Sequence, residues 1–487
     1  MTAEHIESRP GAYADSVTLM QISADVQRSD SVAAALIGMA TELNLGLAAA
    51  MGFQPPLGAG PNDLLIAIRA TDGSALAQAK AAVDAALTAR PVGSAGTGGG
   101  GQLPRTTATA VRASGPGLAL ISVPGRFAFA EAMDALDAGC DVMIFSDNVP
   151  VEQEVLLKGV ATARGLLVMG PDCGTAVVGG VGLGFANAVA TGPIGLVAAS
   201  GTGAQQVLCL LDHAGTGVSA ALGVGGRDLS ADVGGRSARA ALTALDADAG
   251  TDLIVVISKP PDAAVAADLR DFAAGLSTPV QFAFVGPGAP DLTAATETAL
   301  RALDLPVPSW PVWHGKSAKQ RGGLLRGLFA GGTLCDEAMV IATDLLGPIQ
   351  SNIPLSPELR LAPLRTATGH AMIDFGDDEL TVGRAHPMID QSLRLERLAA
   401  AAADPSVAVL LLDVVLGHGA HPDPAAELAP AIAAARERGG GAVVVSLLGT
   451  AADPQGLERQ ATALQAAGAQ VFASNAAAAR FACGLIA

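Results

Sequence analysis

Ala199-Ser200-Gly201-Thr202-Gly203-Ala204-Gln205-Gln206-Val207 joins an apolar, strand-like run at 194–198 to a helix-forming run that continues to residue 211. Backbone N–H groups at the start of a helix lack intrahelical acceptors, and the helix dipole places about half a positive charge there. Because two hydroxyl groups stand at the same point, this sequence predicts an anion site, with phosphate as the first candidate. An ordinary tight turn between a strand and a helix is the alternative.

A near-copy of this loop occurs later, where Gly331-Gly332-Thr333-Leu334-Cys335-Asp336-Glu337-Ala338-Met339 again opens a helix-forming run. Two such loops favour anion binding over a simple turn. We therefore predict that phosphate is bound by residues of both loops: Ser200, Gly201, Thr202 and Gly203 in the first, and Gly331, Gly332, Thr333 and Leu334 in the second.

Composition restricts the class of protein. A chain of 487 residues is too long for one hydrophobic core, and its length suggests about two to four domains. Half of the residues are apolar and only 3% are aromatic, which favours closely packed α/β layers. The formal charge of −17 argues against nucleic acid and anionic membranes as partners, but it does not disfavour a small anion.

The cysteines and the N-terminus indicate the compartment. The five cysteines are scattered without the spacing of a zinc site, so we predict reduced thiols and no metal centre. The N-terminus lacks the features of a signal peptide. The most apolar run, 407–417, is interrupted by Asp413 and falls far short of the roughly 20 residues of a membrane span. These features predict a cytoplasmic protein.

The first part of the chain is predicted to be a small α/β domain at 1–90, followed by a glycine-rich linker at 91–116. The hydrophobic pattern predicts four elements in this domain: a strand at 16–23, a helix at 31–43, a strand at 63–68 and a helix at 73–89.

Strands and helices alternate from residue 117 onward, which predicts parallel sheets with ligand sites at the carboxyl ends of the strands. The GxGxxG fingerprint of dinucleotide-binding domains is absent. Loop 331–334 corresponds to loop 200–203, so we expect a repeat with a pseudo-two-fold axis in which both helix N-termini aim at one anion. The predicted parts are a Rossmann-like domain at 117–191, an α/β domain at 192–303, a proline-rich connector at 304–323 and an α/β domain at 324–487.

Four motifs resemble the α subunit of succinyl-CoA synthetase, in that subunit's order: Ser122-Val123-Pro124, Gly170-Pro171-Asp172-Cys173, Ala199-Ser200-Gly201-Thr202 and Gly223-Val224-Gly225-Gly226. Residues 324–480 resemble the carboxyl-terminal domain of its β subunit. With the motifs at 13–20, 385–390 and 419–424, this tandem arrangement is similar to the FdrA family over nearly the whole chain. The resemblance implies an α/β fold: a Rossmann-like CoA-binding-type domain, two flavodoxin-like succinyl-CoA-synthetase-type domains and a small N-terminal α/β domain.

The chain departs from the synthetase at the residues that carry its chemistry. The synthetase has a Gly-His-Ala-Gly-Ala loop whose histidine is phosphorylated, whereas this chain reads Pro287-Gly288-Ala289-Pro290-Asp291. The glutamate that steadies the phosphohistidine is missing from the region of Ser258-Lys259-Pro260-Pro261, and no ATP-grasp domain is present. These departures argue against nucleotide-driven thioester synthesis by this chain alone.

FdrA-like proteins resemble a subunit of oxamate carbamoyltransferase from allantoin breakdown. The resemblance therefore implies interconversion of oxalurate and phosphate with oxamate and carbamoyl phosphate, together with partner enzyme subunits and homo-oligomerisation. No cofactor is firmly implied: Mg²⁺ is left open, and CoA belongs only to the alternative of an acyl-CoA ligase subunit that borrows a nucleotide-binding chain. A non-catalytic phosphate-binding scaffold is a further alternative.

Carbamoyl transfer from an amide needs a general acid or base, because the leaving amide must be protonated. His386 is either that group or a hydrogen-bonded turn histidine, and Asp374 is a base, a magnesium ligand or a turn former. Lys259 is the third candidate for the general acid or base, and it is also a candidate cation for phosphate or for the substrate carboxylate; an ordinary surface charge is the alternative. We also predict substrate binding by a set of loop residues: Pro171, Asp172, Cys173, Gly225, Gly226 and Arg227.

Overall fold

The architecture is seen in a computed structural model, which describes residues 2–12, 14, 16–89, 104, 106–315, 322–362, 365, 367–381, 384–437 and 441–486. Within these ranges the chain is an α/β protein with four sheets. It divides into two compact units, Met1–Leu103 with Thr381–Asp390, and Pro104–Leu380 with Gln391–Ala487.

The first unit is a three-stranded antiparallel sheet with helices. The central strand pairs antiparallel with both of its neighbours. One hydrophobic cluster contains Leu19, Ile66 and Val83, and a second contains Phe53 and Leu65. The elements are β1 (Ala3–Pro10), α1 (Ser16–Gln27), β2 (Val32–Met39), α2 (Glu42–Ala50), β3 (Asp63–Ala70) and α3 (Gly73–Ala89), in the sheet order β1-β3-β2.

Two predictions for this unit are wrong. The strand predicted at 16–23 is part of helix α1, where Leu19, Ile22 and Val26 recur at helical spacing and are buried. The helix predicted at 31–43 is mainly strand β2, because pairing with β3 overrides the helix preference of its alanines. The strand and the helix predicted at 63–68 and 73–89 are confirmed as β3 and α3.

The second unit begins with a short parallel sheet, β4-β5-β6. Residues 91–103 of the predicted linker lie outside the described residues, whereas its last part forms a helix that begins with a capping box between Thr106 and Thr109. The elements are α4 (Thr107–Ser114), β4 (Leu118–Ile121), α5 (Gly125–Asp137), β5 (Asp141–Ile144), α6 (Val151–Arg164) and β6 (Val168–Met169).

A six-stranded sheet follows, in the order β12-β11-β9-β10-β7-β8. Its first hairpin comes from residues that the sequence groups with the Rossmann-like domain, and it joins the sheet by antiparallel pairing with β10. The elements are β7 (Thr175–Val178), β8 (Val181–Gly184), β9 (Thr191–Ala199), α7 (Gly201–His213), β10 (Val218–Gly223), α8 (Arg236–Asp246), β11 (Leu253–Ser258), α9 (Ala263–Ala273), β12 (Val280–Phe284) and α10 (Leu292–Ala302).

The last sheet also has six strands, in the order β13-β18-β17-β16-β14-β15. A short 3-10 helix lies at Pro357–Leu359. The other elements are β13 (Val312–Trp313), β14 (Leu324–Phe329), α11 (Gly332–Leu346), β15 (Ala371–Asp374), α12 (Asp378–Thr381), α13 (Ser392–Ala403), β16 (Val407–Val415), α14 (Pro424–Glu437), β17 (Ala442–Leu448), α15 (Leu457–Ala466), β18 (Gln470–Phe472) and α16 (Asn475–Gly484).

The two large sheets share the order of four strands. The strand order β12-β11-β9-β10 of the first corresponds to β17-β16-β14-β15 of the second. In each run the two central strands, β11 with β9 and β16 with β14, pair in parallel. In each sheet an internal strand, β9 or β14, leads directly into a helix, α7 or α11. The predicted repeat is therefore present in the topology. Among the described helices, none is both long enough and apolar enough to cross a membrane.

Candidate phosphate site at two helix N-termini

The first predicted loop forms the start of α7. Ser200 is the N-cap residue, and its hydroxyl accepts a hydrogen bond from the N–H of Gly203 at 2.9 Å. A methyl group on Gly203 would lie 2.4 Å from Ser200 Oγ, so this turn needs glycine. The strand-to-helix turn predicted from the sequence is thus capped by its own serine.

The second predicted loop forms the start of α11, and the two helix starts meet. Gly331 is the N-cap residue of α11 and provides no side-chain cap. Ser200 Oγ donates a hydrogen bond to Thr333 Oγ1 at 2.7 Å, and both side chains are buried. A methyl group on Gly331 would lie 2.8 Å from the side chain of Thr202, so the backbone of one helix start contacts the other directly.

Five backbone N–H groups at this junction have no hydrogen-bond acceptor among the described residues. At the start of α7 they are those of Gly201 and Thr202, since Gly203 and Ala204 donate to Ser200. At the start of α11 they are the N–H groups of Gly332, Thr333 and Leu334, since the next N–H donates to Gly331. Two helix dipoles and five free donors provide a region where an anion is favoured.

A buried ion pair holds the second loop in place, and sequence reasoning missed its role. Asp413 of β16 accepts hydrogen bonds from the N–H groups of Ala330 and Gly331 at 2.7 and 2.8 Å. Arg394 of α13 donates to the same carboxylate at 2.7 Å. Both charged side chains are almost fully buried. In the sequence, the signal for this role was a single charged residue, Asp413, inside the apolar run 407–417.

Two further carboxylates and one amine lie beside the start of α11. Lys259, which follows β11, makes an ion pair with Asp336 at 2.9 Å. A methyl group on Gly332 would lie 2.6 Å from Asp374 Oδ2 and 3.2 Å from Lys259 Nζ. The structure therefore brings the predicted residues Lys259 and Asp374 to the predicted phosphate loop, and adds Asp336.

Burial sets the protonation of these groups. It raises the pKa of Asp374 to about 7, against the opposing effects of Lys259 and of the Gly376 N–H. It also raises the pKa of Asp336, although Lys259 opposes this. Burial alone would lower the pKa of Lys259, but the neighbouring carboxylates of Asp336 and Asp374 raise it. A charged amine thus stands beside a carboxyl group that titrates near neutral pH.

The predicted substrate-binding residues form one neighbourhood where two loops pack closely. A methyl group on Gly225 would lie 2.4 Å from the carbonyl oxygen of Pro171, and one on Gly226 would lie 3.8 Å from Asp172 Oδ2. Arg227 makes an ion pair with the buried Glu154 at 2.9 Å. It also donates to the carbonyl of residue 149 at 2.8 Å.

Asp172 and Cys173 differ in what they offer to a ligand. Burial raises the pKa of Asp172 to about 7, and the nearby carboxylates Asp147 and Asp378 add to that effect. Cys173 is buried, and its thiol faces the carbonyl of Thr175. Burial raises the pKa of the Cys173 thiol to about 12, so it is not a nucleophile at neutral pH.

His386 lies in the segment Thr381–Asp390, which belongs to the first unit. Its Nδ1 accepts a hydrogen bond from the N–H of Met388 at 3.2 Å, as a turn histidine would. The hydrogen bonds and ion pairs of Ser200, Thr333 and Lys259 involve no histidine among the described residues. A role for His386 in proton transfer stays a prediction.

Two regions of the chain match families of known proteins. Residues 328–485 match the family model described as CoA-ligase, and residues 1–103 match the model described as AllF, heavy metal-associated domain. The chain is 38% identical to the uncharacterized protein YahF of Escherichia coli (strain K12), over 96% of this chain and 95% of that protein. The chain belongs to the YahF family.

Other relatives cover only part of this YahF-family protein. The α subunit of succinate–CoA ligase (ADP-forming) from Aquifex aeolicus (strain VF5) is 29% identical over 163 residues, which are 32% of this chain and 51% of that subunit. The chain thus spans about half the length of that relative. The solved structure of the dinucleotide forming acetyl-coenzyme A synthetase 1 of Ca. Korarchaeum cryptofilum, with phosphate and ADP, aligns with 76% of this chain and 82% of its own at 17% identity. The TM-score of this alignment is 0.28.

The residues of the N-terminal unit do not fit a heavy-metal centre. Residues 1–103 contain no cysteine, and His5 is their single histidine. His5 Nε2 lies 2.7 Å from Lys80 Nζ and 3.4 Å from Glu7 Oε2. Across the described part of the chain, no group of three His, Cys, Asp or Glu side chains could hold a metal ion.

Proposed function

We propose that this YahF-family chain is the phosphate-binding subunit of a carbamoyltransferase that interconverts oxalurate and phosphate with oxamate and carbamoyl phosphate. The observation that carries the proposal is the direct contact of two helix starts, marked by the Ser200–Thr333 hydrogen bond, with five free N–H donors around it. The match of residues 1–103 to an AllF-type domain supports the link to allantoin breakdown.

The reaction fits such a site chemically. An oxygen of HPO₄²⁻ attacks the carbamoyl carbon of oxalurate, a C–O bond forms and the C–N bond to the leaving amide breaks. The proton of the phosphate is transferred to the amide nitrogen, which leaves oxamate and carbamoyl phosphate. No bond to the protein is required, which agrees with the sequence Pro287-Gly288-Ala289-Pro290-Asp291 where the synthetase has its phosphorylated histidine.

Fixed N–H donors would stabilise the transition state of this reaction. Charge shifts between the attacking phosphate oxygen and the carbamoyl group, and loss of one such donor typically costs about 3 to 4 kcal/mol. Lys259 adds a cation at the same edge, next to Gly332. Partner subunits and homo-oligomerisation belong to the same proposal, since the substrate amide needs a binding site of its own, and a requirement for Mg²⁺ is left to experiment.

Conversion of oxalurate and labelled phosphate to carbamoyl phosphate, in a complex of this chain with its co-purified subunits, tests the proposal. Gly331→Ala should reduce turnover by about 100-fold or more, because the new methyl group would push Thr202 and the helix starts apart. Gly46→Ala, with no atom within 4 Å of the added methyl group, is the control and should retain turnover. Equal turnover of the two variants would contradict the proposal.

An acyl-CoA ligase subunit is the second candidate. It is favoured by the CoA-ligase match at 328–485 and by the relationship to the succinate–CoA ligase α subunit. Helix α5 begins after Pro124 without a side-chain cap, and the positive end of its dipole would favour a CoA phosphate there. CoA-dependent hydrolysis of ATP in a mixture with a nucleotide-binding chain would favour this candidate over carbamoyl transfer.

A further inference from the structure

An unpaired carboxylate oxygen points to the start of α11. Asp374 is only 5% exposed, and its Oδ1 accepts a hydrogen bond from the N–H of Gly376 at 2.8 Å. Its Oδ2 has no hydrogen-bond partner among the described residues, and it is the oxygen that a methyl group on Gly332 would meet at 2.6 Å. Asp374 Oδ2, on a side chain that is almost fully buried, therefore stands where an anion would bring further acceptor oxygens.

The charges around this oxygen do not cancel. The groups that face Asp374 are Lys259 from the end of β11, Asp336 and Cys335 from α11, and Asp377 from the turn after β15. Lys259 is already paired with Asp336, so an ionised Asp374 leaves an excess negative charge. A dianion placed beside it would be repelled strongly, because charges interact strongly where water is excluded.

We propose that this site binds its anion together with one proton, and that Asp374 Oδ2 carries that proton and donates a hydrogen bond to an oxygen of the anion. The inference rests on the proposed function, because it concerns the same site. The ligand class is a tetrahedral dianion such as HPO₄²⁻. The proton comes from solvent, and no covalent bond of the ligand changes on binding.

The energetic cost of this protonation is small near neutral pH. Burial raises the pKa of Asp374 to about 7, so the carboxyl group is partly protonated before the anion arrives. A neutral carboxyl group has an O–H donor, whereas a carboxylate has only acceptors. By linkage, an anion that favours the protonated form must bind more tightly as the pH falls.

The same proton serves the proposed transfer. While the C–O bond forms and the C–N bond breaks, the proton on Asp374 Oδ2 passes to the leaving amide nitrogen, and the proton of HPO₄²⁻ passes to the Asp374 carboxylate. Asp374 ends the reaction protonated, as it began, and atoms and charges balance. A carboxyl group with a pKa near the working pH is suited to this exchange.

Calorimetry of the full chain with sulfate tests the inference, because sulfate keeps its charge from pH 6 to 9 whereas phosphate titrates. Titrations in buffers with different ionisation enthalpies report the number of protons taken up. We expect uptake close to one proton at pH 8 and little at pH 6. The affinity should fall about tenfold per pH unit above about pH 7.

Asp374→Asn should bind sulfate without proton uptake and with an affinity independent of pH. Glu358→Gln, which removes an exposed carboxylate that is not among the groups facing Asp374, should keep the wild-type behaviour. Sulfate binding to the wild type without proton uptake at pH 8, binding that requires Mg²⁺, or an unchanged pH dependence in Asp374→Asn would overturn the inference. Failure of both sulfate and phosphate to bind at any pH would overturn the proposed function as well.

Discussion

Asp413 and Arg394 are the residues on which the second loop depends. The carboxylate of Asp413 accepts two backbone N–H groups of the loop and the guanidinium of Arg394, all within the protein interior. A buried pair adds little net stability, but removal of one partner leaves the other charge uncompensated.

Arg394→Met should therefore lower the free energy of unfolding by about 3 to 5 kcal/mol, measured with urea at pH 7. Arg360→Met is the matched control, because Arg360 pairs with Glu379 at the surface, where both side chains are about half exposed. Its cost should stay below about 1 kcal/mol. Equal costs for the two variants would show that Arg394 is not the buried partner described above.

Glu337 gives the stability a pH dependence of definite sign. Its carboxylate accepts from the N–H of Leu292 and from Asn475, and burial raises its pKa from the ordinary 4.5 to about 7. Between these two values the unfolded chain is ionised while the folded protein still holds the proton, so stability falls as the pH rises.

Glu337→Gln cannot ionise and should escape that loss. Between pH 4 and pH 8 its free energy of unfolding should improve relative to wild type by about 3 kcal/mol, measured with urea at each pH. Glu358→Gln, at an exposed carboxylate whose pKa is lowered by Ser356, should show no shift in that direction. A constant difference between Glu337→Gln and wild type would contradict the raised pKa.

Sequence reasoning at the residue scale succeeds where the signal is local. Ser200 and Thr333 open helices after strands, and their predicted proximity agrees with the hydrogen bond between them. Asp336, Arg394 and Asp413 were missed as site residues because their partners are distant in sequence. A single charge in an apolar run or on a helix carries no periodic signal that names its partner.

At the scale of elements, the start of α11 packs against Asp374 at the end of β15 and against Lys259, which follows β11. This packing decides whether the site has room for an anion. A methyl group on Gly332, the first residue of α11, would lie 2.6 Å from Asp374 and 3.2 Å from Lys259. Gly332→Ala should therefore weaken phosphate binding at least about tenfold in calorimetry, or about 1.4 kcal/mol.

Gly73→Ala is the matched control for this variant. Gly73 is also the first residue of a helix, α3, and has no atom within 4 Å of the added methyl group. It should bind phosphate as the wild type does and should gain slightly in stability from the higher helix preference of alanine. Equal phosphate affinity in Gly332→Ala and wild type would place the anion away from the start of α11.

The elements themselves were predictable where one pattern dominated. The alternation of apolar strands with helices after residue 117 predicts the parallel strand pairs of the three later sheets, to which β7, β8 and β13 add antiparallel pairs. In the N-terminal unit, residues 16–23 and 31–43 were predicted in the wrong state, because alanine and β-branched residues give conflicting local preferences there. Packing on β3 resolves that conflict, and packing cannot be deduced from a short window of sequence.

At the scale of the whole molecule, the repeated strand order explains why two helix starts converge within the second unit. The sequence reveals this repeat through two similar loops, whereas the β7–β8 hairpin that extends the first large sheet carries no such signal. The family matches divide the chain similarly, with an AllF-type domain at 1–103 and a CoA-ligase domain at 328–485.

The name of the N-terminal family suggests a heavy metal, and the residues of this chain predict otherwise. Residues 1–103 lack cysteine, and their single histidine lies against Lys80. Addition of a few equivalents of Zn²⁺ or Ni²⁺ should therefore leave the melting temperature of the full chain within about 1 °C of its metal-free value, since only specific binding to the folded state would raise it. A rise that saturates at one equivalent would reveal a site that this account omits.

The central claim is that the junction of α7 and α11 binds phosphate for carbamoyl transfer. Calorimetry of the full chain with phosphate, carbamoyl phosphate, ATP and CoA in parallel tests it most directly. We predict binding of phosphate and carbamoyl phosphate that is lost in Gly332→Ala, with no heat of binding from ATP or CoA. Tight binding of CoA, with no response to phosphate or carbamoyl phosphate, would contradict the claim and favour the acyl-CoA ligase.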